Sequence, residues 1–305
     1  MQFALILQLH DRLNPEKLIR TLSLAYYSNK TMPHPFLSDI YVYPVKSLAG
    51  IKVSKWSVNS KGLLHDRKWM LIDSNNQFLS QRKIPKMVLI KTQLTDSELI
   101  LSTSADSSIS LPIDPIAGKA YKTSIWNDVC VAKSTSDIAN QWLSDFLGVQ
   151  CQIVYQPDDV VRAVDPKYAK TTDQVNFSDG FPFLIASEAS MRALNRAMSL
   201  DLSIERFRPN LVISQCQPYA EDSWREISIN NIDFRLPKPC SRCAIPTIDL
   251  STATISNEPL RTLNRLRKWN KQVYFGQNAL HDHSGELFIG NKVQIVRTGP
   301  QQPPL

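Results

Sequence analysis

Cysteine is scarce in this chain of 305 residues: Cys130, Cys151, Cys216, Cys240 and Cys243 are the full set. An odd number of cysteines in so long a chain excludes a disulfide framework and points to a reducing compartment. Long apolar runs are missing too. No stretch approaches the ~20 apolar residues of a membrane-spanning helix. The segment from Met1 to His10 lacks a basic start, and its apolar run is too short for a secretory signal. The expected location is therefore cytoplasmic, with no membrane partner. There is no internal repeat. Basic residues are dispersed without the aromatic interleaving of a stacking platform, so nucleic acid is not an expected partner.

What is present fits a soluble globular protein. Hydrophobic residues make up 43% and charged residues 21%, enough for one large or two ordinary domains with an ample core. A net charge of +7 suits acidic partners, but an excess of that size also serves solubility and decides nothing alone.

Residues 1–36 differ from the rest. Leu13, Leu18, Ile19, Leu22 and Leu24 suit a short helix in a loosely attached extension, with Met32 an alternative native start. From Asp39 short alternating runs take over. They comprise Ile40 to Val45, Trp69 to Asp73, Met87 to Leu94, Glu98 to Leu101 and Ile109 to Leu111. Strands this short and frequent predict a sandwich or barrel rather than βαβ units. A helix is expected over 136–147, with Ser136 as N-cap and Gly148 as stop. After a strand at Cys151 to Tyr155, the polar stretch Asp158 to Gln174 reads as an inter-domain connection or a mobile loop over a site. The second half opens with a strand at Phe183 to Ile185 and a helix capped by Ser187. Further strands are expected at 211–213 and 226–236, a helix from Glu258-Pro259, and strands near 286–289 and 293–296. The Pro-rich tail 299–305 reads as an extended linker.

The chemistry centres on Lys238-Pro239-Cys240-Ser241-Arg242-Cys243. Thiolates suit zinc, copper, iron–sulfur clusters and other transition metals, and the arginine offers a planar fork of donors to an anion. Zinc needs two more ligands, for which His281 and His283 are the nearby candidates. A redox dithiol wants its first thiol at a helix N-terminus, whereas Ile245, Pro246, Thr247 and Ile248 argue for strand or loop. A plain buried pair is the third reading, and the stretch alone leaves all three open. Other polar stretches interrupt the apolar pattern at Tyr43-Pro44-Val45-Lys46-Ser47, His65-Asp66-Arg67 and Arg208-Pro209-Asn210. Each reads as an ordinary wet strand end. Together, Lys46, Arg67, Arg208 and Arg242 could neutralise a phosphate, provided that they converge.

These stretches occur in a recognisable order, with Asp66-Arg67-x-Trp69, Phe207-Arg208-Pro209-Asn210, Glu221-Asp222-x-Trp224 and Phe275-Gly276-Gln277-Asn278 among them. The set resembles the MOSC-domain molybdenum proteins of the bacterial YcbX type, relatives of the mitochondrial amidoxime-reducing component, over about residues 38–298. The resemblance implies a mainly β protein with a few helices (α+β). Its parts would be an N-terminal extension (1–36), a MOSC N-terminal β-barrel domain (37–157), a MOSC β-barrel domain (158–298) and the tail. It implies a molybdenum–molybdopterin cofactor with Cys243 as metal ligand and catalytic centre. Lys46, Ser47, Arg67, Arg208, Asn210, Arg242 and Asn278 would hold the pterin and phosphate, Ser187 would bring a hydroxyl near the cofactor, and Cys240 would be a supporting thiol. The implied reaction reduces N-hydroxylated compounds (amidoximes, hydroxylamines, N-hydroxylated bases) and releases water.

Two departures stand out. No cysteine follows Cys243, so the ferredoxin-like domain with a 2Fe–2S cluster is expected to be absent. Electrons would then come from a separate protein of reductase, ferredoxin or flavodoxin type. Pro246 stands where the family commonly has threonine, with Leu250 and Ser251 after it, which bears on substrate preference. The competing function is a non-catalytic carrier of the cofactor or of sulfur, since MOSC domains also occur attached to cofactor sulfurases.

Overall fold

A computed structural model describes residues 34–104, 107–114 and 118–305. The helix expected between Leu13 and Leu24 and the alternative start Met32 lie outside them. β1 (Phe36–Val42), β2 (Ile51–Val53), β3 (Lys55–Asn59), β4 (Gly62–Leu63) and β5 (Trp69–Ile72) come first. β6 (Lys91–Leu94), β7 (Glu98–Ser102) and β8 (Ser108–Pro112) form a meander, and β9 (Ala120–Ile125) with β10 (Asp128–Ser134) a hairpin. Helix α1 (Asp137–Leu147) and β11 (Gln152–Tyr155) follow. Next come β12 (Phe183–Ser187), α2 (Glu188–Met198), β13 (Leu211–Ser214), β14 (Trp224–Ile229) and β15 (Ile232–Ser241). The last elements are α3 (Leu260–Leu266), β16 (Lys268–Trp269), β17 (Gln272–His281), β18 (Gly285–Phe288) and β19 (Val293–Thr298). The described chain is mainly β with a few helices, as expected.

The largest sheet has nine strands, in the order β19-β14-β15-β17-β12-β13-β1-β2, with β16 attached to β17. It takes β1 and β2 from the first half of the chain, and β3 pairs with β18. The strands thus cross the boundary expected at 157/158. Pairing is antiparallel except between β12 and β13, which run parallel on either side of α2. That one βαβ unit departs from the expected pattern. Its cause is local: Ser187 accepts from the backbone N of Ser190 and starts a helix directly at the strand end. The four-stranded sheet β5-β11-β10-β9 completes the frame.

Alternation explains most of the core. Ile232, Phe234 and Leu236 of β15 point into a cluster with Ile185, Ile213 and Leu287. β5 breaks the alternation because both of its faces are covered. Trp69 and Leu71 pack with Leu143 and Leu147 of α1, while Met70 and Ile72 pack with Ile125, Val154 and Phe177. α1 has the expected ends, Ser136 capping Ala139 N and Gly148 at φ 72.

Three expectations are corrected. The run from Met87 begins as a 3-10 turn, Pro85–Leu89, and becomes a strand only at Lys91. Pro85 presets φ for a helical turn, and a short buried apolar run suits either form. The segment 158–174 is tied down rather than loose. Arg162 binds Asp128 and the carbonyls of Asn176 and Ser178, and Asp173 pairs with Arg235. The tail is docked, not a free linker: Gly299 N donates to Ser223 O, Gln302 N to Asp222 O, and Pro303 is buried.

Candidate functional site

Eight of the nine residues expected at the site line one cleft: Lys46, Ser47, Arg67, Arg208, Asn210, Arg242, Cys243 and Asn278. They arrive from the loop after β1, the turn before β5, the entry to β13, the end of β15 and the middle of β17. Strand register brings several together. Asn278 of β17 pairs with Leu184 of β12 on one side and Lys238 of β15 on the other, and its side-chain amide donates to Pro239 O at 3.3 Å. Ser47 (φ 67), Arg67 (φ 49) and Arg208 (φ 54) all sit in the left-handed region. An L-residue there costs about 1–2 kcal/mol, and three such residues around one cleft mark a place where side-chain aim prevails over backbone comfort.

The cations are held by neighbours that leave donors to spare. Arg67 forms a close ion pair with the buried carboxylate of Asp66 and donates to Asn210 Oδ1 at 3.0 Å. Asp66 is itself aimed by the Tyr43 backbone N–H at 2.8 Å. The guanidinium groups of Arg67 and Arg208 both pack on the Tyr43 ring, 4.4 and 4.2 Å from its centroid. Arg208 donates to Leu48 O at 2.6 Å, while its Nη2 is buried with no partner. Burial, followed by the nearby positive charge of Arg67, lowers the Arg208 pKa to about 10. Lys46 donates to Phe177 O at 2.8 Å and to Asp179 at 2.5 Å, and burial pulls its pKa down against the opposing pull of Asp179. Burial would raise the Asp179 carboxyl, but the Lys46 ammonium outweighs it and holds that group below the usual carboxylate range.

The Cys-Ser-Arg-Cys segment is asymmetric. Arg242 donates to Cys240 Sγ at 3.0 Å and to Phe207 O at 2.7 Å, and its Nε is buried without a partner. Both thiols are free. Cys240 lies on β15, and a 3-10 turn, Ile245–Thr247, follows Cys243. The dithiol reading therefore lacks the α-helix N-terminus that it needs. Among the described residues no three His, Cys, Asp or Glu side chains gather as metal ligands. His281 Nε2 is engaged with Asn59 O at 2.6 Å, and His283 faces Asp233 at 3.7 Å. The zinc reading is left without its two further ligands.

Ser187 is not part of the cleft. It is fully buried as the N-cap of α2, and its hydroxyl donates to Glu221 at 3.0 Å. A hydroxyl at a strand end looks the same in sequence whether it caps a helix or meets a ligand. Conversely, Arg82 and Asp179 line the cleft without having been singled out. Asp179-Gly180 carries a turn signal and Arg82 no signal at all.

An anionic ligand would satisfy Arg208 Nη2 and Arg242 Nε, and the Cys243 thiol on the same lining is a soft donor for a thiophilic metal. The residues present thus fit a phosphorylated, metal-bearing cofactor. Residues 34–150 match the MOSC N-terminal beta barrel domain and residues 172–294 the MOSC domain. Mitochondrial amidoxime-reducing component 1 of Mus musculus is 32% identical over 278 residues, a match that covers 85% of this chain and 82% of the mouse protein. The chain belongs to the MOSC family of amidoxime-reducing components. The human protein of the same name is 31% identical, again with 85% and 82% covered. The molybdenum cofactor sulfurase of Danio rerio is 32% identical over 284 residues, but the match covers only 34% of that longer protein.

Proposed function

We propose that this MOSC protein is a molybdenum cofactor-dependent reductase of N-hydroxylated compounds. The observation that carries the reading is the single cleft in which a free thiol meets five cations, two of them with buried partnerless donors. The names of its mouse and human relatives supply the substrate class.

The bound molybdenum–molybdopterin supplies the two-electron redox chemistry. Cys243 acts as the protein ligand to the metal. A thiolate under a metal ion stays deprotonated. Arg208, Arg242, Arg67 and Lys46 neutralise the phosphate of the pterin tail, with Ser47, Asn210 and Asn278 adding hydrogen bonds. Half-buried guanidinium groups suit this role because their planar forks bind phosphate bidentately. Asp66 keeps Arg67 aimed, and Tyr43 stacks beneath both arginines. In the net reaction an N–O bond breaks, N–H and O–H bonds form, and two electrons and two protons are consumed. The electrons come from a separate donor protein of reductase, ferredoxin or flavodoxin type, in the cytoplasm.

The test is expression in a host that makes molybdopterin, elemental analysis, and turnover of benzamidoxime with reduced viologen as artificial donor. Stoichiometric molybdenum and turnover are expected. Cys243→Ala abolishes activity, while Cys240→Ser keeps most of it. Metal-free wild-type protein, or equal loss from both cysteine variants, refutes the assignment. The sulfurase relative favours a second reading, a cofactor or sulfur carrier. A carrier would hold molybdenum yet show no turnover with the viologen.

A further inference from the structure

A second cleft is continuous with the first: Arg82, Asp179, Phe181, Asn278 and the segment from Cys240 to Cys243 line both. The residues that it adds include Trp126, Tyr168, Lys238 and Lys271.

Trp126 occupies a two-residue hairpin turn between Ile125 and Asp128, at φ 55. Asn and Gly are the residues that such a turn favours, so a tryptophan there is strained. It is 50% exposed and yet fixed. Its indole N–H donates to Asp179 at 3.2 Å, the Arg82 guanidinium lies 4.2 Å from the ring centroid, and Phe78 packs edge-on at 5.5 Å. An exposed aromatic ring held in place against strain is a preformed stacking surface. Tyr168 supplies a second ring, 6.0 Å from Phe181, with Lys238 Nζ 4.8 Å from its centroid.

The charges in this lining are unbalanced. Asp179 and Asp128 are taken by Lys46 and Arg162. Among the described residues Arg82, Lys238, Lys271 and Arg242 pair with no carboxylate, and Arg242 is the one assigned above to the cofactor. Among the described residues Asp165 is the one carboxylate of the lining outside an ion pair. With Arg242 set aside for the cofactor, three cations facing one acid suit a doubly charged group better than a carboxylate or a neutral ligand.

We propose that this groove is the substrate subsite and that it selects planar N-hydroxylated bases carrying a phosphate group, that is, N-hydroxylated nucleotides. The base stacks on Trp126 and Tyr168, and the phosphate meets Lys238, Lys271 and Arg82. The reaction remains the cleavage of the N–O bond to amine and water, with two protons and with two electrons from the donor protein. The inference rests on the reductase reading above and adds the substrate's charge and the residues that read it.

The holoenzyme is assayed with reduced viologen on three substrates: benzamidoxime, N-hydroxycytidine and N-hydroxycytidine monophosphate. The expected KM for the monophosphate is about tenfold below that of the nucleoside, one decade of affinity, and the gap narrows as salt is raised. In Lys238→Gln/Lys271→Gln the KM of the monophosphate rises until the two values meet. Trp126→Ala raises KM for both. Equal KM values in the wild type, a preference that persists in high salt or in the double variant, or turnover of benzamidoxime alone overturns the subsite. The salt series uses wild-type protein and decides the matter even if the double variant folds poorly. Failure of all three substrates removes the reductase reading itself.

Discussion

Gly276→Ala tests how the site strand is held. Gly276 lies in β17 at φ 75, and a Cβ added there would stand 2.8 Å from the Ile185 carbonyl oxygen and 3.2 Å from Leu184 Cδ1. The left-handed backbone costs an L-residue about 1–2 kcal/mol. Pressing a methyl group against a carbonyl fixed in the neighbouring strand adds about 1–3 kcal/mol. Stiffening of the unfolded chain returns about 0.4–1 kcal/mol. The expected net loss is therefore about 3 kcal/mol, within a span of about 1–5 kcal/mol, read as a lower midpoint in urea unfolding with an unchanged slope. Gly148→Ala is the matched control. Gly148 is also left-handed, at φ 72, but has nothing within 4 Å of an added Cβ, so its loss is about 1 kcal/mol. The two residues from Gly276 to Asn278 also carry the displacement into the cleft, so bound molybdenum falls in Gly276→Ala alone. Equal losses in both variants, or a loss below about 0.5 kcal/mol for Gly276→Ala, would refute the reasoning.

Two further outcomes follow from buried polar groups. Burial, helped by the charge of Lys68, lowers the His65 pKa to about 4 from an unfolded value of 6.5. The stability it contributes is complete above the unfolded pKa and is lost as pH falls through the folded one, so the melting temperature declines between those values. His65→Asn, which tolerates the φ of 64, should flatten that part of the profile, and an unchanged slope would reject this source. Ser187→Ala removes the cap of α2 and a donor to Glu221, for a loss of about 1–3 kcal/mol in urea unfolding. Its molybdenum content should match the wild type; a selective loss of metal at unchanged stability would return Ser187 to the cofactor.

Local signals were legible where the physics is local. Ser136 and Gly148 bound α1 because a cap hydroxyl and a left-handed glycine act on the nearest turn. The alternation of Ile232, Phe234 and Leu236 marked one face of β15. The hairpin of β9 and β10 escaped the reading because a tryptophan at its turn is not a turn signal. The tail escaped because Pro and Gln look the same whether solvated or docked, and only Asp222, Ser223 and Gln277 decide which.

For the site, residue types and motif order were enough to single out Lys46, Arg67, Arg208, Arg242 and Cys243 as the groups able to hold an anion and a soft metal. Chemistry of that kind belongs to the side chain and travels with the sequence. Their meeting does not. Arg208 reaches the carbonyl of Leu48 across 160 positions of chain, and Asn278 meets Lys238 only through the register of β15 on β17. Strand pairing over such separations depends on the whole packed sheet, so the tertiary structure alone decided that these groups share a cleft, that Ser187 stands outside it, and that Trp126, Tyr168, Arg82, Lys238 and Lys271 line the same groove as Cys243.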